Sequence, residues 1–179
     1  KGIWIRDNQT IRSIIMSIIK FSKDTKKPYA AIYNYICDPL KTDSSMIFTN
    51  MMISPITDMI LLHQLNPGYK PKSFYKHIIV SLHKLDGLNK SLMRDCFKEI
   101  GYILSHQGQF PFVAAIHYKG DEQSGVGVHC HFVISKINHY QQKYEQKYMI
   151  YAYKNTINLI LQKYGFSPIQ SYNPSTKTI

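Results

Sequence analysis

The pattern of apolar and polar positions predicts five strands and four helices. Strands are predicted where β-branched and aromatic residues alternate with polar ones or run together, at residues 11–21 (with a helix as the alternative), 46–53, 74–84, 112–118 and 128–136. Helices are predicted over residues 29–36, 56–65, 89–105 and 144–164. Helix boundaries are marked by Pro39, the Ser54-Pro55 pair, Asn89 and Gly165.

The order of these elements predicts an α+β fold with a central, mainly antiparallel sheet and flanking helices. Residues 119–127 are polar and Gly-rich and separate two apolar strands, which predicts a hairpin. On the third helix, Leu92, Cys96, Ile100 and Ile103 are predicted to form the apolar face. Because no repeat or linker divides the chain, residues 1–179 are expected to form a single domain with a loose tail after about residue 166.

Composition excludes several classes of protein. Hydrophobic residues make up 44% of the 179 residues, which excludes a disordered chain. The densest apolar stretch, residues 11–21, is too short and too polar to span a membrane, and the sequence shows no signal peptide. The chain begins with Lys1, so we expect it to be part of a longer protein. Three cysteines far apart form no disulfide framework, which favours a reducing, cytoplasmic location.

The charge balance points to a polyanionic partner. Lysine and arginine number 22 against 11 acidic residues, for a net charge of +11. Fourteen tyrosines and eight phenylalanines accompany this charge, and aromatic faces among lysines suit the binding of single-stranded nucleic acid.

Three histidines near the centre of the chain are the strongest chemical signal. His129 and His131 flank one residue of a predicted strand, so their side chains point to the same face, about 6–7 Å apart along the strand. His117 ends the preceding predicted strand, which lies about 4.8 Å away if the two pair as a hairpin. Three imidazoles from two paired strands can therefore converge on one metal ion. Cys130, between two of them, faces the other side and is expected in the core.

Three neutral imidazoles leave coordination positions open, as in a catalytic metal site. Nitrogen ligands suit Mn, Co, Ni or Zn better than Mg. Asp121 and Glu122, in the hairpin loop, are candidates to orient a ligand histidine, with a solvated turn as the alternative. The remaining histidines are expected to be packed or solvent-facing residues: His63, His77, His83, His106 and His139.

Two motifs of the sequence resemble those of a known family. A His-x-His strand with a third upstream histidine is similar to the HUH endonuclease superfamily. Residues 31–43, which read AIYNYICDPLKTD, resemble the opening motif A-I-x-Y-I-x-N-P-x-K-T of P-type mobilisation relaxases. The two motifs stand in the same order as in that family, and the resemblance covers roughly residues 11–165.

The resemblance implies a metal-dependent enzyme that nicks and rejoins one DNA strand at an origin of transfer of a plasmid or integrative element. A tyrosine attacks the phosphodiester and becomes linked to the 5′ phosphate. By motif position the nucleophile is Tyr35, with Tyr33 and Tyr29 as less favoured candidates. The implied metal ligands are His117, His129 and His131, with Mn²⁺ or Mg²⁺ as the ion in use and Zn, Ni or Co as alternatives.

The same resemblance implies partners and a location. The substrate is single-stranded DNA at the origin, and the expected protein partners are accessory relaxosome proteins and a coupling protein, in the bacterial cytoplasm and without a membrane partner. Lys41, Thr42 and Lys119 are candidates to contact DNA phosphate. The chain departs from the family at Lys119, where an acidic residue usually stands, and in its long loop between His117 and His129. Asp38 replaces the usual asparagine.

Two other readings of the sequence stay open. Replication initiators and single-tyrosine transposases of the same superfamily carry the tyrosine on a helix after the His-x-His strand. Four tyrosines of this chain are candidates for that position: Tyr144, Tyr148, Tyr151 and Tyr153. The other reading is a non-catalytic, basic nucleic-acid-binding module whose histidines serve only the fold.

Overall fold

A computed structural model describes residues 17–22, 27–52, 54–70, 73–83, 86, 89–119, 127–144 and 149–169. Over this part of the chain the elements are β1 (Ile18–Phe21), α1 (Tyr29–Ile36), β2 (Ile47–Thr49), α2 (Pro55–Gln64), β3 (Tyr75–Ser81), α3 (Lys90–Leu104), β4 (Phe112–His117), β5 (His129–Ser135) and α4 (Met149–Lys163). A single 3-10 turn, Ser44–Met46, leads into β2.

The strands form one sheet in the order β1-β3-β5-β4-β2, and every neighbouring pair is antiparallel. This confirms the predicted α+β fold with its antiparallel sheet. The predicted hairpin partners β4 and β5 are paired, with His117 opposite His129. Strand β5, which carries two of the three histidines, lies in the middle of the sheet between β3 and β4.

The two faces of the sheet carry different layers. One face packs with α3 and α4 around a large core that includes Ile116, Cys130 and Phe132. The opposite face packs with α1 and α2, through a smaller core that includes Ile36 and Val133. Cys130 is completely buried in the large core, as predicted. Because side chains alternate along a strand, the histidines on either side of Cys130 lie on the face of α1 and α2.

Helix α3 shows how local sequence and packing agree. The Asn89 side chain accepts a hydrogen bond from the backbone N–H of Leu92, which is the predicted N-cap. Gly101 lies so close to the sheet that a Cβ there would be 2.9 Å from the ring of Phe112. The buried face of α3 includes Cys96 and Ile100 as predicted, but Leu92 is 42% exposed and Met93 is buried in its place.

Several predicted boundaries differ from the structure. Strand β2 ends at Thr49 and not at residue 53, because the next bonds to the β4 segment are made by the Asn50 side chain and not by the backbone. Its amide donates to the carbonyl oxygens of Gly108 and Phe110 and accepts from the Phe112 N–H. Among the described residues helix α4 runs over Met149–Lys163, and Tyr144, which was predicted as its first residue, is not helical and donates its hydroxyl to the Leu104 carbonyl.

The segment after α4 was predicted to be a loose tail. Residues 166–169 are packed: Phe166 and Ile169 are buried, and Ser167 is bonded to the Asp86 carboxylate. The rest of the predicted tail, residues 170–179, lies outside the described residues, as do residues 11–16 of the first predicted strand. In the described part of the chain, no helix combines the length and apolar character that a membrane crossing requires.

Candidate metal centre

His117, His129 and His131 converge on one side of the β4–β5 pair. His117 lies directly opposite His129 in the antiparallel register, and His131 lies opposite Ala115. All three side chains therefore project from the same face. The ring centroids are separated by 4.4 Å between His117 and His131, 4.9 Å between His129 and His131, and 5.1 Å between His117 and His129.

One ligand nitrogen from each histidine lies within 4.8 Å of the others. Ligand nitrogens bound at about 2.1 Å in a tetrahedral site are about 3.4 Å apart, so a small inward movement of the rings completes the geometry. His117 and His131 are buried and His129 is half-buried, so the cluster is partly accessible at His129. An open side is what a metal needs to bind substrate as well as protein.

Hydrogen bonds to the backbone set the orientation of two of the rings. His117 Nε2 donates to the Ile36 carbonyl oxygen at 2.8 Å, and His129 Nδ1 donates to the Gly127 carbonyl oxygen at 3.1 Å. A carbonyl only accepts, so these bonds place the protons and leave the lone pairs on His117 Nδ1 and His129 Nε2. Bonds of this kind fix the tautomer of metal-binding histidines.

The third ring supplies the observation that favours a metal most strongly. His131 Nε2 is buried and has no hydrogen-bond partner among the described residues. Burial, together with the neighbouring His117, His129, His77 and Lys41, lowers the pKa of His131 to about 2. The ring is therefore neutral at physiological pH, which is the form that binds metals. A buried nitrogen lone pair facing two other imidazoles fits a transition-metal ion such as Mn, Co, Ni or Zn.

Tyr35 stands at the edge of this cluster, near the end of α1. Its ring centroid lies 5.5 Å from that of His131 and 6.1 Å from that of His117. Tyr35 is 47% exposed, so this edge of the cluster lies at the surface of the molecule. The structure thus brings together the tyrosine and the histidines that the sequence motifs selected.

The two less favoured tyrosines lie elsewhere on α1. Tyr29 is buried and donates its hydroxyl to the Phe74 carbonyl at 2.5 Å, with the ring of His63 beside it. Burial raises the pKa of Tyr29 far above its ordinary value. Tyr33 lies next to Cys37, and burial raises its pKa as well. Neither has a ring contact with the three histidines.

The predicted DNA-contacting residues take three different positions. The Lys41 ammonium lies 4.4 Å from the centroid of the Tyr35 ring and 3.3 Å from the Asp38 carboxylate, on the surface. Thr42 is buried, and its hydroxyl donates to the Asp43 carbonyl oxygen. The Lys119 ammonium bonds to the Asp43 carboxylate and to the carbonyl oxygens of Pro39 and Thr42. Lys41 thus lies beside Tyr35, whereas Lys119, at the end of β4, bonds to the loop after α1.

His77, which was predicted to be a packed or solvent-facing residue, lies beside the cluster. His77 Nε2 lies 2.8 Å from His131 Nδ1, and the two rings are stacked with centroids 5.0 Å apart. Only the adjacency of β3 and β5 brings these residues together, and no local motif carries that information. The predicted orienting residues Asp121 and Glu122 lie outside the described residues.

Comparisons with known proteins agree with this geometry. The family model for the MobA/VirD2-like relaxase nuclease domain matches residues 35–166, which include Tyr35 and all three histidines. Among solved structures, a chain from "Molecular Basis of Vancomycin Resistance Transfer in Staphylococcus aureus" is similar over 88% of this chain and 99% of its own length, with a TM-score of 0.55 and 13% identity. That likeness concerns the fold. The search of curated proteins gave no match.

Proposed function

We infer that this chain, which belongs to the MobA/VirD2-like relaxase nuclease family, nicks and rejoins one strand of DNA at an origin of transfer. The relaxase family establishes a nuclease domain, and the finer assignment is our proposal. We propose that the chain is a P-type relaxase of the HUH superfamily and that its substrate is single-stranded DNA. We also propose that it forms one domain and acts in the bacterial cytoplasm. Mobilisation of a plasmid or integrative element is the process that such a nick would begin.

The observation that carries the proposal is the position of Tyr35 beside three histidines that fit a metal ion. In the proposed reaction, the Tyr35 oxygen attacks the phosphorus of the scissile phosphodiester and loses its proton. The bond between phosphorus and the 3′ oxygen breaks, and that oxygen leaves as a 3′ hydroxyl after taking up a proton. The strand on the other side stays linked to Tyr35 through its 5′ phosphate. Attack by a 3′ hydroxyl on this linkage reverses the reaction and rejoins the strand.

The histidines hold the cation in this proposal. A divalent metal, when bound, would polarise the scissile phosphate and offset the negative charge that grows during attack. His117, His129 and His131 supply three nitrogens and no negative charge, so the bound ion keeps its full attraction for phosphate. Mn²⁺ or Mg²⁺ is the ion we expect in use, with Zn²⁺, Ni²⁺ or Co²⁺ as alternatives.

Lys41 supports the binding of the phosphate. Its ammonium borders the Tyr35 ring and is held by Asp38 at the surface, where an incoming phosphate competes with that carboxylate. Accessory relaxosome proteins and a coupling protein complete the proposed set of partners. The structurally similar chain comes from work on the transfer of vancomycin resistance, which supports a role in DNA transfer here.

The alternative with a tyrosine after the His-x-His strand has less support. Tyr144 and Tyr153 belong to the core on the α3 and α4 side, opposite the face that carries the three histidines. Burial raises the pKa of both phenols, which makes them harder to ionise. The structure of Tyr148 and the side chain of Tyr151 lie outside the description.

The proposal is tested with single-stranded oligonucleotides that tile the transfer region of the element encoding this chain. Each oligonucleotide carries a 3′ fluorophore and is incubated with the protein and Mn²⁺. We expect a labelled protein band on a denaturing gel for one segment of the region, and no such band with the label at the 5′ end. Attachment at Tyr35, identified by mass spectrometry of the linked peptide, supports the proposal. Attachment to a tyrosine after His131, or cleavage without an adduct, contradicts it.

A further inference from the structure

We propose that His77 is the residue that positions His131 for metal binding, with the Ser22 hydroxyl behind it. The ligand would then be oriented by a neutral imidazole and not by a carboxylate. This inference rests on the metal-dependent function proposed above. It concerns residues that neither the motifs nor the family match single out.

The sheet places these residues in register. Strands β3 and β5 are antiparallel, with Ile79 opposite His131 and His77 opposite Val133. Residues 77, 79, 131 and 133 therefore share the face of the sheet that carries the metal cluster. From this diagonal position His77 Nε2 reaches His131 Nδ1 at 2.8 Å, with the ring planes at 22°. The contact is a direct hydrogen bond between two imidazoles.

The protons of this pair have two arrangements, and the structure favours one of them. If His77 donates, the proton of His131 must sit on Nε2, which is buried and has no partner among the described residues. If His131 donates from Nδ1, its Nε2 carries a lone pair that faces the other two metal ligands. The second arrangement leaves no donor of His131 unsatisfied, and it is the one in which His131 can bind a metal.

Ser22 completes the second arrangement. When His77 accepts at Nε2, its own proton sits on Nδ1, and the Ser22 oxygen lies 3.2 Å from that nitrogen. Ser22 is held in place because its backbone N–H donates to the His77 carbonyl at 2.9 Å. In this arrangement His131 donates to His77, and His77 donates to Ser22. The three residues come from β5, β3 and the position after β1.

The choice of a neutral partner for His131 affects the charge of the metal site. A carboxylate partner would add a negative charge near the ion and raise the basicity of the ligand ring. His77 and Ser22 orient His131 without adding charge. The oriented ligand therefore binds the ion while the site stays positive, which suits a phosphodiester substrate.

The test compares two replacements of His77. In His77→Gln, the amide oxygen takes the place of Nε2 and still accepts from His131, whereas in His77→Leu a side chain of similar size offers no acceptor. We expect His77→Leu to weaken Mn²⁺ binding about 10- to 100-fold, measured by electron paramagnetic resonance of the free ion. His77→Gln should stay within about threefold of the wild type, since orientation by a hydrogen bond is retained. His139→Gln, at an exposed histidine, is the matched control.

A second measurement needs neither metal nor substrate. Nitrogen NMR of the metal-free wild type should show His131 with its proton on Nδ1, and His77 likewise. A His131 proton on Nε2, or equal Mn²⁺ affinity in His77→Leu and the wild type, overturns the proposal. If the wild type binds no metal, the proposed function fails while the tautomer measurement still decides the role of His77. If His77→Leu does not fold, the role of His77 is decided by the wild-type tautomers and by Ser22→Ala. In Ser22→Ala the Nδ1 proton of His77 loses its acceptor.

Discussion

The phenol of Tyr35 meets the imidazole of His131 edge to face, with the ring centroids 5.5 Å apart and the planes at 83°. Tyr35 comes from a short helix and His131 from the middle of a sheet, 96 positions later in the chain. Their contact places an exposed hydroxyl-bearing side chain beside a buried nitrogen that has no partner in the described structure.

Replacing Tyr35 by phenylalanine should abolish the covalent adduct while the chain stays folded. The side chain is half-exposed, so removal of its hydroxyl disturbs no core packing. We expect nicking to fall by at least about 10³-fold, as when other enzymes lose their nucleophile. Binding of single-stranded DNA, measured by fluorescence anisotropy, should remain. Tyr33→Phe, on the same helix, is the control and should nick normally; an adduct in Tyr35→Phe contradicts the assignment.

Addition of Mn²⁺ should stabilise the fold through the three histidines. A ligand at 100 times its dissociation constant stabilises the native state by about 2.7 kcal/mol. For a chain of this size that corresponds to a rise in Tm of about 5–10 °C. The shift, measured by differential scanning fluorimetry, should disappear with a chelator and in His129→Ala. A wild-type Tm that does not respond to Mn²⁺, Zn²⁺ or Co²⁺ would remove the support for a metal centre.

Lys41→Ala should weaken the binding of single-stranded DNA and make it less sensitive to salt. A lysine that neutralises one phosphate contributes about 0.7 to the slope of log affinity against log salt for single strands. We expect the slope to decrease by about that amount. Lys154→Ala is the comparison, because α4 lies on the opposite side of the sheet from the three histidines. Equal slopes in the two variants count against Lys41 as a phosphate contact.

Lys119→Ala should reduce stability more than it changes DNA binding. The ammonium is bonded to the Asp43 carboxylate and to two carbonyl oxygens of the loop after α1. The loss of these bonds at a partly exposed site is expected to cost about 1 kcal/mol of unfolding free energy, measured with denaturant. If the salt slope of DNA binding falls and the unfolding free energy stays constant, Lys119 contacts DNA and does not fasten the loop.

The three cysteines should react slowly with iodoacetamide at pH 8. Burial raises the pKa of Cys37 to about 11 and of Cys96 to about 12, and it also raises the pKa of Cys130 well above its ordinary value. The thiolate reacts, and at pH 8 a thiol with a pKa of about 11 is ionised to only about one part in 10³. The labelling rate should therefore rise about tenfold per pH unit between pH 8 and 9.5. Unfolding in guanidinium should speed labelling at pH 8, and fast labelling of the native chain contradicts the prediction.

The parts of the site that depend on neighbouring residues in the chain could be predicted from the sequence. The alternation of His129, Cys130 and His131 defined one face of a strand, and the hairpin placed His117 on that face. Helix α3 was recognisable because Asn89 is a strong N-cap. Each of these features depends on residues within a few positions of one another or on one predicted hairpin.

The remaining features depend on contacts between distant segments. His77 contacts His131 only because β3 lies next to β5, a strand order that no local pattern specifies. Thr42 looked available in a polar loop, but the end of β4 covers that loop through bonds from the backbone of Tyr118 and Lys119 to the Lys41 carbonyl. Residues 166–169 looked loose because the bonds from Ser167 to Asp86 span 81 positions.

The bond from His117 to the Ile36 carbonyl makes one of the three clustered histidines also the cap of a helix. The last carbonyls of a helix lack partners within it, and they carry a partial negative charge. An imidazole that satisfies one of them fastens the end of α1 to the sheet, one residue beyond Tyr35. The spacing between Tyr35 and the three histidines is thus set by a direct bond between α1 and β4, and not only by the length of the intervening chain.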